Sequence, residues 1–262
     1  MSTAHSNPAD LATPASPFDL LIAGGTVIDG TKAPRFDADV GITAGRIVAI
    51  GDLAGHAALQ TLDASGRIVA PGFIDSHTHD DHALLAQPAM AFKVSQGVTT
   101  VVTGNCGISM APLRPGGPLP APLNLLDVAA HAPFETFAAF LQALRDAPAA
   151  VNVVPMVGHT TLRVTAMADL QRSATADEIA TMRSLLQEAL DAGAVGLSTG
   201  TFYPPAAAAS TEEIIGLGRA LTGSGALYAT HLRDEADEVM SAMDEAFRIG
   251  RELDVPVVLS HH

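Results

Sequence analysis

Ala70-Pro71-Gly72-Phe73-Ile74-Asp75-Ser76-His77-Thr78-His79-Asp80-Asp81 is the stretch on which the reading of this chain turns. A short apolar run leads directly into two histidines spaced by one residue. On extended backbone, residues two apart face the same side, so His77 and His79 project together from the end of a strand. Five further apolar runs follow: 98–104 (VTTVVTG), 151–158 (VNVVPMVG), 194–200 (AVGLSTG), 226–231 (ALYATH) and 255–262 (VPVVLSHH). Helical stretches separate them, and two of these carry start signals, Thr175 with Glu178 and Ser210 with Glu213, each fitting a reciprocal capping box. Apolar runs joined by helical crossovers predict a parallel sheet buried on both faces. Pro155 inside the third run conflicts with a ladder position, because proline lacks the N–H donor.

Upstream of this region the pattern is different. Residues 18–30 (FDLLIAGGTVIDG), 38–42, 46–52 and 61–70 are short β-branched runs, with a turn expected at Ala44-Gly45. They predict half of a small β-sandwich. Residues 1–16 are rich in Ala, Ser, Thr and Pro without a basic start or an apolar centre, so a secretory leader is not expected there. The expected layout is a disordered lead over 1–17, a partial β-sandwich over 18–69 and an incomplete α/β barrel over 70–262. Six strands are counted where a TIM-like (β/α)8 barrel has eight. A chain ending on a buried strand is expected to be part of a longer protein.

Composition narrows the function classes. The 262 residues carry 14 Lys plus Arg against 28 Asp plus Glu, a net charge of −14, which offers no basic footprint for nucleic acid or anionic membranes. No run is long and apolar enough for a spanning helix. A single cysteine, Cys106, cannot form an internal disulfide, and a cytoplasmic location is expected.

Chemistry-bearing residues recur at one end of the runs. His77 and His79 follow the first, Cys106 the second, His231 ends the fifth and His261 lies at the end of the sixth. Barrels place their active sites at the C-terminal ends of their strands, where converging imidazoles can bind metal. Two readings fit Cys106: a small buried hydrophobe, or a thiolate able to bridge two cations. His231 and His261 read either as satisfied core histidines or as ligands, and recurrence at the same strand ends favours ligands. Adjacent His261 and His262 point to opposite sides, so one of them faces the axis. His159 reads as a structural hydrogen-bonding residue, and His5, His56, His82 and His131 as surface or loop residues. The Pro- and Gly-rich segment 108–133 reads either as a cover over the site or as a spacer.

PGFIDSHTHDD, QGVTTVVTGNCGIS, GHTTLR, AVGLSTGTFYPP, YATHLRDE and VPVVLSHH, with GGTVIDG and GRIVAIG upstream, resemble the amidohydrolase superfamily. The Gly104-Asn105-Cys106-Gly107 segment is similar to the N-acyl-D-amino-acid deacylase (D-aminoacylase) branch. Relatives outside that branch bridge their metals with a carboxylated lysine on the fourth strand, and residues 196–200 contain none. The resemblance implies zinc: Cys106 with His231 and His261 at a tight position, and His77 with His79 at a weaker second one. It also implies that His261 rather than His262 is the ligand and that Asp75, Asp80 and Asp81 orient imidazoles, while Phe202 either walls the substrate side-chain pocket or packs its own loop. The aspartate proton shuttle expected on an eighth strand has no counterpart among the six runs. The implied activity is hydrolysis of N-acyl-D-amino acids. Its alternatives are cyclic-amide hydrolysis of the dihydroorotase or hydantoinase kind, and zinc binding without turnover.

Overall fold

A computed structural model of the protein describes residues 17–114, 119–126 and 133–261. The expected lead through residue 16, His5, His131, His262 and stretches 115–118 and 127–132 of the long connection lie outside the described residues. The chain divides into two compact units, Met1–Gly72 and Phe73–His262.

The first unit is a mixed sheet of β1 (Phe18–Val27), β2 (Phe36–Thr43), β3 (Arg46–Gly51), β4 (Ala58–Asp63) and β5 (Ile68–Val69), in the order β3-β2-β1-β4 with β5 also on β1. The β2–β3 hairpin turns at Ala44-Gly45, whose φ values of 52° and 70° are the left-handed pair a two-residue hairpin requires. The other neighbours differ from the hairpins anticipated: β4 and β5 both run parallel to β1. The sheet buries Phe18, Leu21, Ala49 and Leu53 together, while Leu59 and Leu62 stand exposed on β4.

The second unit runs β6 (Phe73–Asp75), α1 (Ala83–Ala86), α2 (Ala91–Val94), β7 (Val98–Thr103), α3 (Phe137–Asp146), β8 (Asn152–Pro155), β9 (Val157–Gly158), α4 (His159–Ala166), α5 (Ala176–Ala192), β10 (Gly196–Gly200), α6 (Pro204–Ala207), α7 (Thr211–Gly218), β11 (Leu227–His231), α8 (Val239–Leu253) and β12 (Val257–Leu259). Its strands pair in parallel, β6-β7-β8 and β9-β10-β11-β12. The whole is a mixed α/β fold. Pro155 marks the handover between the two sets. Its run pairs with β7 as β8, breaks at Met156, and continues as β9 on β10, while the Pro155 carbonyl accepts from Val195 N at 3.0 Å.

Helix α5 shows why the sequence folds this way. Thr175 caps it reciprocally with Glu178, and Gly193 stops it with φ at 123°. Met182, Leu186 and Ala189, spaced by four and three, face inward and are fully buried. They join Leu197 of β10, Ile214 and Leu217 of α7, and Tyr228 of β11 in the main core. Each such buried Leu or Met stabilises the fold by about 1.5–3 kcal/mol. The second expected capping box forms only in half. Ser210 accepts from Glu213 N at 3.1 Å, but the Glu213 carboxylate turns inward to other partners. Among the described residues no helix is long and apolar enough to cross a membrane.

Candidate metal centre

The C-terminal ends of the parallel strands converge on one cluster of donors. His77 and His79 follow β6, Cys106 follows β7, His231 closes β11 and His261 follows β12. Cys106 Sγ lies 3.3 Å from His77 Nε2 and 3.5 Å from His261 Nε2, and His231 Nδ1 lies 3.1 Å from His261 Nε2. Two overlapping triads result, His77-His79-Cys106 and Cys106-His231-His261, each with donor atoms within 4.8 Å of one another. Cys106 is common to both.

The turn carrying Cys106 is built by close backbone packing. Gly104 and Gly107 have φ of 77°, and Cys106 itself stands at 52°, a conformation that costs a side-chain-bearing residue on the order of 1–3 kcal/mol. A Cβ on Gly104 would overlap Met156 O, one on Gly158 would overlap Gly107 O, and one on Gly200 would overlap Cys106 O. Ser198 donates to Gly104 O and accepts from Gly107 N at 2.9 Å. Asn105 Nδ2 donates to Val102 O at 2.9 Å and Thr78 O at 3.2 Å, tying this turn to the one bearing His77 and His79. Strand β10, Gly-Leu-Ser-Thr-Gly, is buried throughout, and the turn lies against it. Any side chain at Gly200 would meet the backbone of the Cys106 turn.

Burial sets the protonation of His77, His79, His231 and Cys106. Burial, with the neighbouring imidazoles of His79, His261 and His231, brings His77 down to about 4. Burial likewise lowers His79 and His231. Neutral imidazoles keep a lone pair available at neutral pH. Burial pushes the Cys106 thiol up to about 12, with the negative charge of Glu235 adding to the effect. A thiolate at this position therefore calls for a cation beside it.

The carboxylates near the histidines are placed differently from what the resemblance implied. Asp75 Oδ2 and Asp80 Oδ2 grip Lys93 Nζ at 2.7 and 3.0 Å, and Asp81 Oδ2 accepts from Gly104 N at 3.2 Å. None of the three hydrogen-bonds the ring of His77 or His79; Asp75 instead accepts from the His77 backbone N–H at 3.4 Å. Burial raises Asp81 to about 7. These residues hold the backbone of the two turns. Phe202 is 52% exposed, its ring 5.4 Å from the His231 ring and tilted 42° to it, and the neighbouring Tyr203 places its hydroxyl 3.4 Å from His231 Nδ1. His159 lies outside the cluster, fully buried, with Nε2 3.0 Å from Glu213 Oε1.

Sequence reasoning missed Lys93, Ser198 and Glu235. Their partners are remote in sequence or lie across a turn, and no spacing rule announces them. The one local signal was Glu235, four residues after His231.

A sequence model described as the amidohydrolase family matches residues 60–256. D-aminoacylase of Alcaligenes xylosoxydans xylosoxydans is 61% identical over 95% of this chain and 51% of its own length. A solved D-aminoacylase, described by its binuclear metal centre with one-metal activation and second-metal attenuation, superimposes with a TM-score of 0.91 at 59% identity, over 94% of this chain and 52% of that one. An N-acyl-D-glutamate deacylase from Bordetella bronchiseptica, solved with zinc and a phosphonate mimic of the tetrahedral intermediate, gives a TM-score of 0.90 at 47% identity, over 94% and 52%. The chain spans about half the length of the curated relatives it matches.

Proposed function

The chain belongs to the amidohydrolase family, and from that premise we propose that it is part of a zinc-dependent deacylase that hydrolyses the amide bond of N-acyl-D-amino acids. The observation that carries the reading is the cysteine shared by two histidine triads. The donor spacing fits the ion. With Zn–N of about 2.0–2.1 Å and Zn–S of about 2.3 Å, tetrahedral geometry separates two nitrogens by about 3.3 Å and sulfur from nitrogen by about 3.6 Å. The separations here are 3.1, 3.3 and 3.5 Å. The thiolate and neutral imidazoles form the donor set that zinc prefers.

Cys106, His231 and His261 would hold the tighter ion, and His77 and His79 would share Cys106 with a second, weaker one. A zinc ion bound there supplies a Lewis acid for the amide carbonyl and acidifies water. The chain's own residues do the rest of what can be assigned. The glycine-lined turn holds Sγ at its post, and the exposed Phe202 ring offers an apolar wall to the substrate side chain. Among the described residues, the carboxylates near the cluster are already engaged: Asp75 and Asp80 with Lys93, Asp81 with Gly104 N, and Glu235 with the imidazoles. A proton shuttle to the leaving amine is therefore not assigned to any of them. The strands β6 through β12, parallel and in chain order, are read as consecutive strands of a (β/α)8 barrel, with the donors at its C-terminal mouth. The acidic charge balance supports a small-molecule substrate over nucleic acid or membrane, and a reducing cytoplasm suits a free thiol donor.

Assay of N-acetyl-D-amino acids against hydantoin and dihydroorotate tests the reading. Release of a D-amino acid with no turnover of the cyclic amides is expected from the active protein. Turnover confined to the cyclic amides would replace this reading with the alternative, and zinc binding without any turnover would support a metal-binding role alone.

A further inference from the structure

The segment between β11 and α8 places one carboxylate against two of the donors. Arg233 anchors it on one side, donating to Ala207 O and Ala209 O at 3.0 Å and to Glu245 at 2.8 and 2.9 Å. Asp234 Oδ1 folds the following turn by accepting from Ala236 N at 2.8 Å and Glu238 N at 3.0 Å. Glu235 lies between these anchors and its Oε1 reaches His261 Nδ1 at 3.1 Å. The same oxygen lies 3.3 Å from His231 Nε2, a buried nitrogen with no aligned hydrogen-bond partner among the described residues. The opposite ring nitrogens, His231 Nδ1 and His261 Nε2, face each other at 3.1 Å, and the latter faces Cys106 Sγ.

We propose that Glu235 is a positioning residue that fixes which ring nitrogens of His231 and His261 face the metal, Nδ1 of the first and Nε2 of the second, and so sets the zinc affinity of that triad. The inference rests on the zinc reading above. A carboxylate can only accept, so His261 carries its proton on Nδ1, and the same charged oxygen 3.3 Å from His231 Nε2 favours the proton on that nitrogen by its field; in each ring this leaves the lone pair on the other nitrogen. The negative charge also raises the basicity of both ligating nitrogens. One side chain thus selects two tautomers at once.

Zinc titration of the full chain against a competing chelator, with thermal unfolding of the zinc-free protein alongside, tests this. Glu235→Gln removes the charge and replaces one of two equivalent acceptor oxygens with a donor NH2. Asp237→Asn, exposed in the same segment, controls for loss of a nearby charge, and Cys106→Ala tests the site itself. Expected are a loss of about 10–100-fold in zinc affinity for Glu235→Gln, affinity near wild type for Asp237→Asn, and an unchanged melting temperature for zinc-free Glu235→Gln. Wild-type affinity in Glu235→Gln, equal losses in both carboxylate variants, or a lowered melting temperature of the zinc-free Glu235→Gln chain that accounts for its weaker binding would each overturn the proposal while leaving the zinc site standing. Absence of zinc binding in the wild type would overturn the zinc reading, and this proposal with it.

Discussion

At the scale of single residues, the glycine before the cysteine matters as much as the cysteine. Gly104 has left-handed backbone and no space for a Cβ, since Met156 O occupies that position. Gly104→Ala is expected to cost about 1–2 kcal/mol from the backbone conformation alone, and more from the overlap, and to weaken zinc binding by displacing Sγ. Urea unfolding and a zinc titration check both; unchanged values in both would mean that the turn is not held as tightly as its packing implies. Four of the five clustered residues were legible in the sequence because each follows an apolar run that is recognisable by composition, while the choice of His261 over His262 rested on the resemblance. The orienting groups were not. Asp75 and Asp80 sit next to the histidines in sequence, yet their carboxylates turn to Lys93 on α2, and local spacing carries no record of that choice.

At the scale of elements, the GHTTLR stretch does structural work on the loop beside the centre. Arg163 of α4, fully buried, donates to Glu213 Oε1 of α7 and to the carbonyls of Pro205, Leu170 and Arg172, so it clamps the connection that follows Phe202 and Tyr203. Glu213 also takes His159 Nε2 and Ala174 N. Burial pushes Glu213 up, but these hydrogen bonds and charges outweigh it and hold the carboxylate down at about 2. Arg163→Met, which leaves that carboxylate buried without its cation, is expected to destabilise by about 3–5 kcal/mol in urea unfolding; a loss under 1 kcal/mol would contradict the clamp. Burial lowers the pKa of His159, and among the described residues no acceptor stands ready for a second N–H at its Nδ1. Because the folded value is depressed, its contribution is complete above the unfolded value of about 6.5 and is lost as pH falls below it. Urea midpoints for the wild type are therefore expected to fall between pH 7.5 and 5.5 more steeply than for His159→Gln, and parallel profiles would contradict this. The Ser210 capping signal read only half correctly for the same reason. A glutamate three residues after the cap is eligible for a capping box, but two buried cationic or donor partners on α4 compete for it and win.

At the scale of the molecule, the alternating runs conveyed the parallel order of β6 to β12, since run length and helical spacing are local properties. The parallel placement of β4 and β5 on β1 escaped, because strand direction depends on how the connections travel and not on the strands themselves. Strands β6 and β12 pair on one side only among the described residues. Phe73 and Ile74 are 64% and 66% exposed and Val258 is 45% exposed. The central claim concerns the cysteine between the two triads. Zinc per chain, measured by elemental analysis on the purified wild type and on Cys106→Ala, tests it most directly. Near-stoichiometric zinc that falls sharply in Cys106→Ala is the expected result; zinc absent from the wild type, or retained undiminished without the thiol, would contradict it.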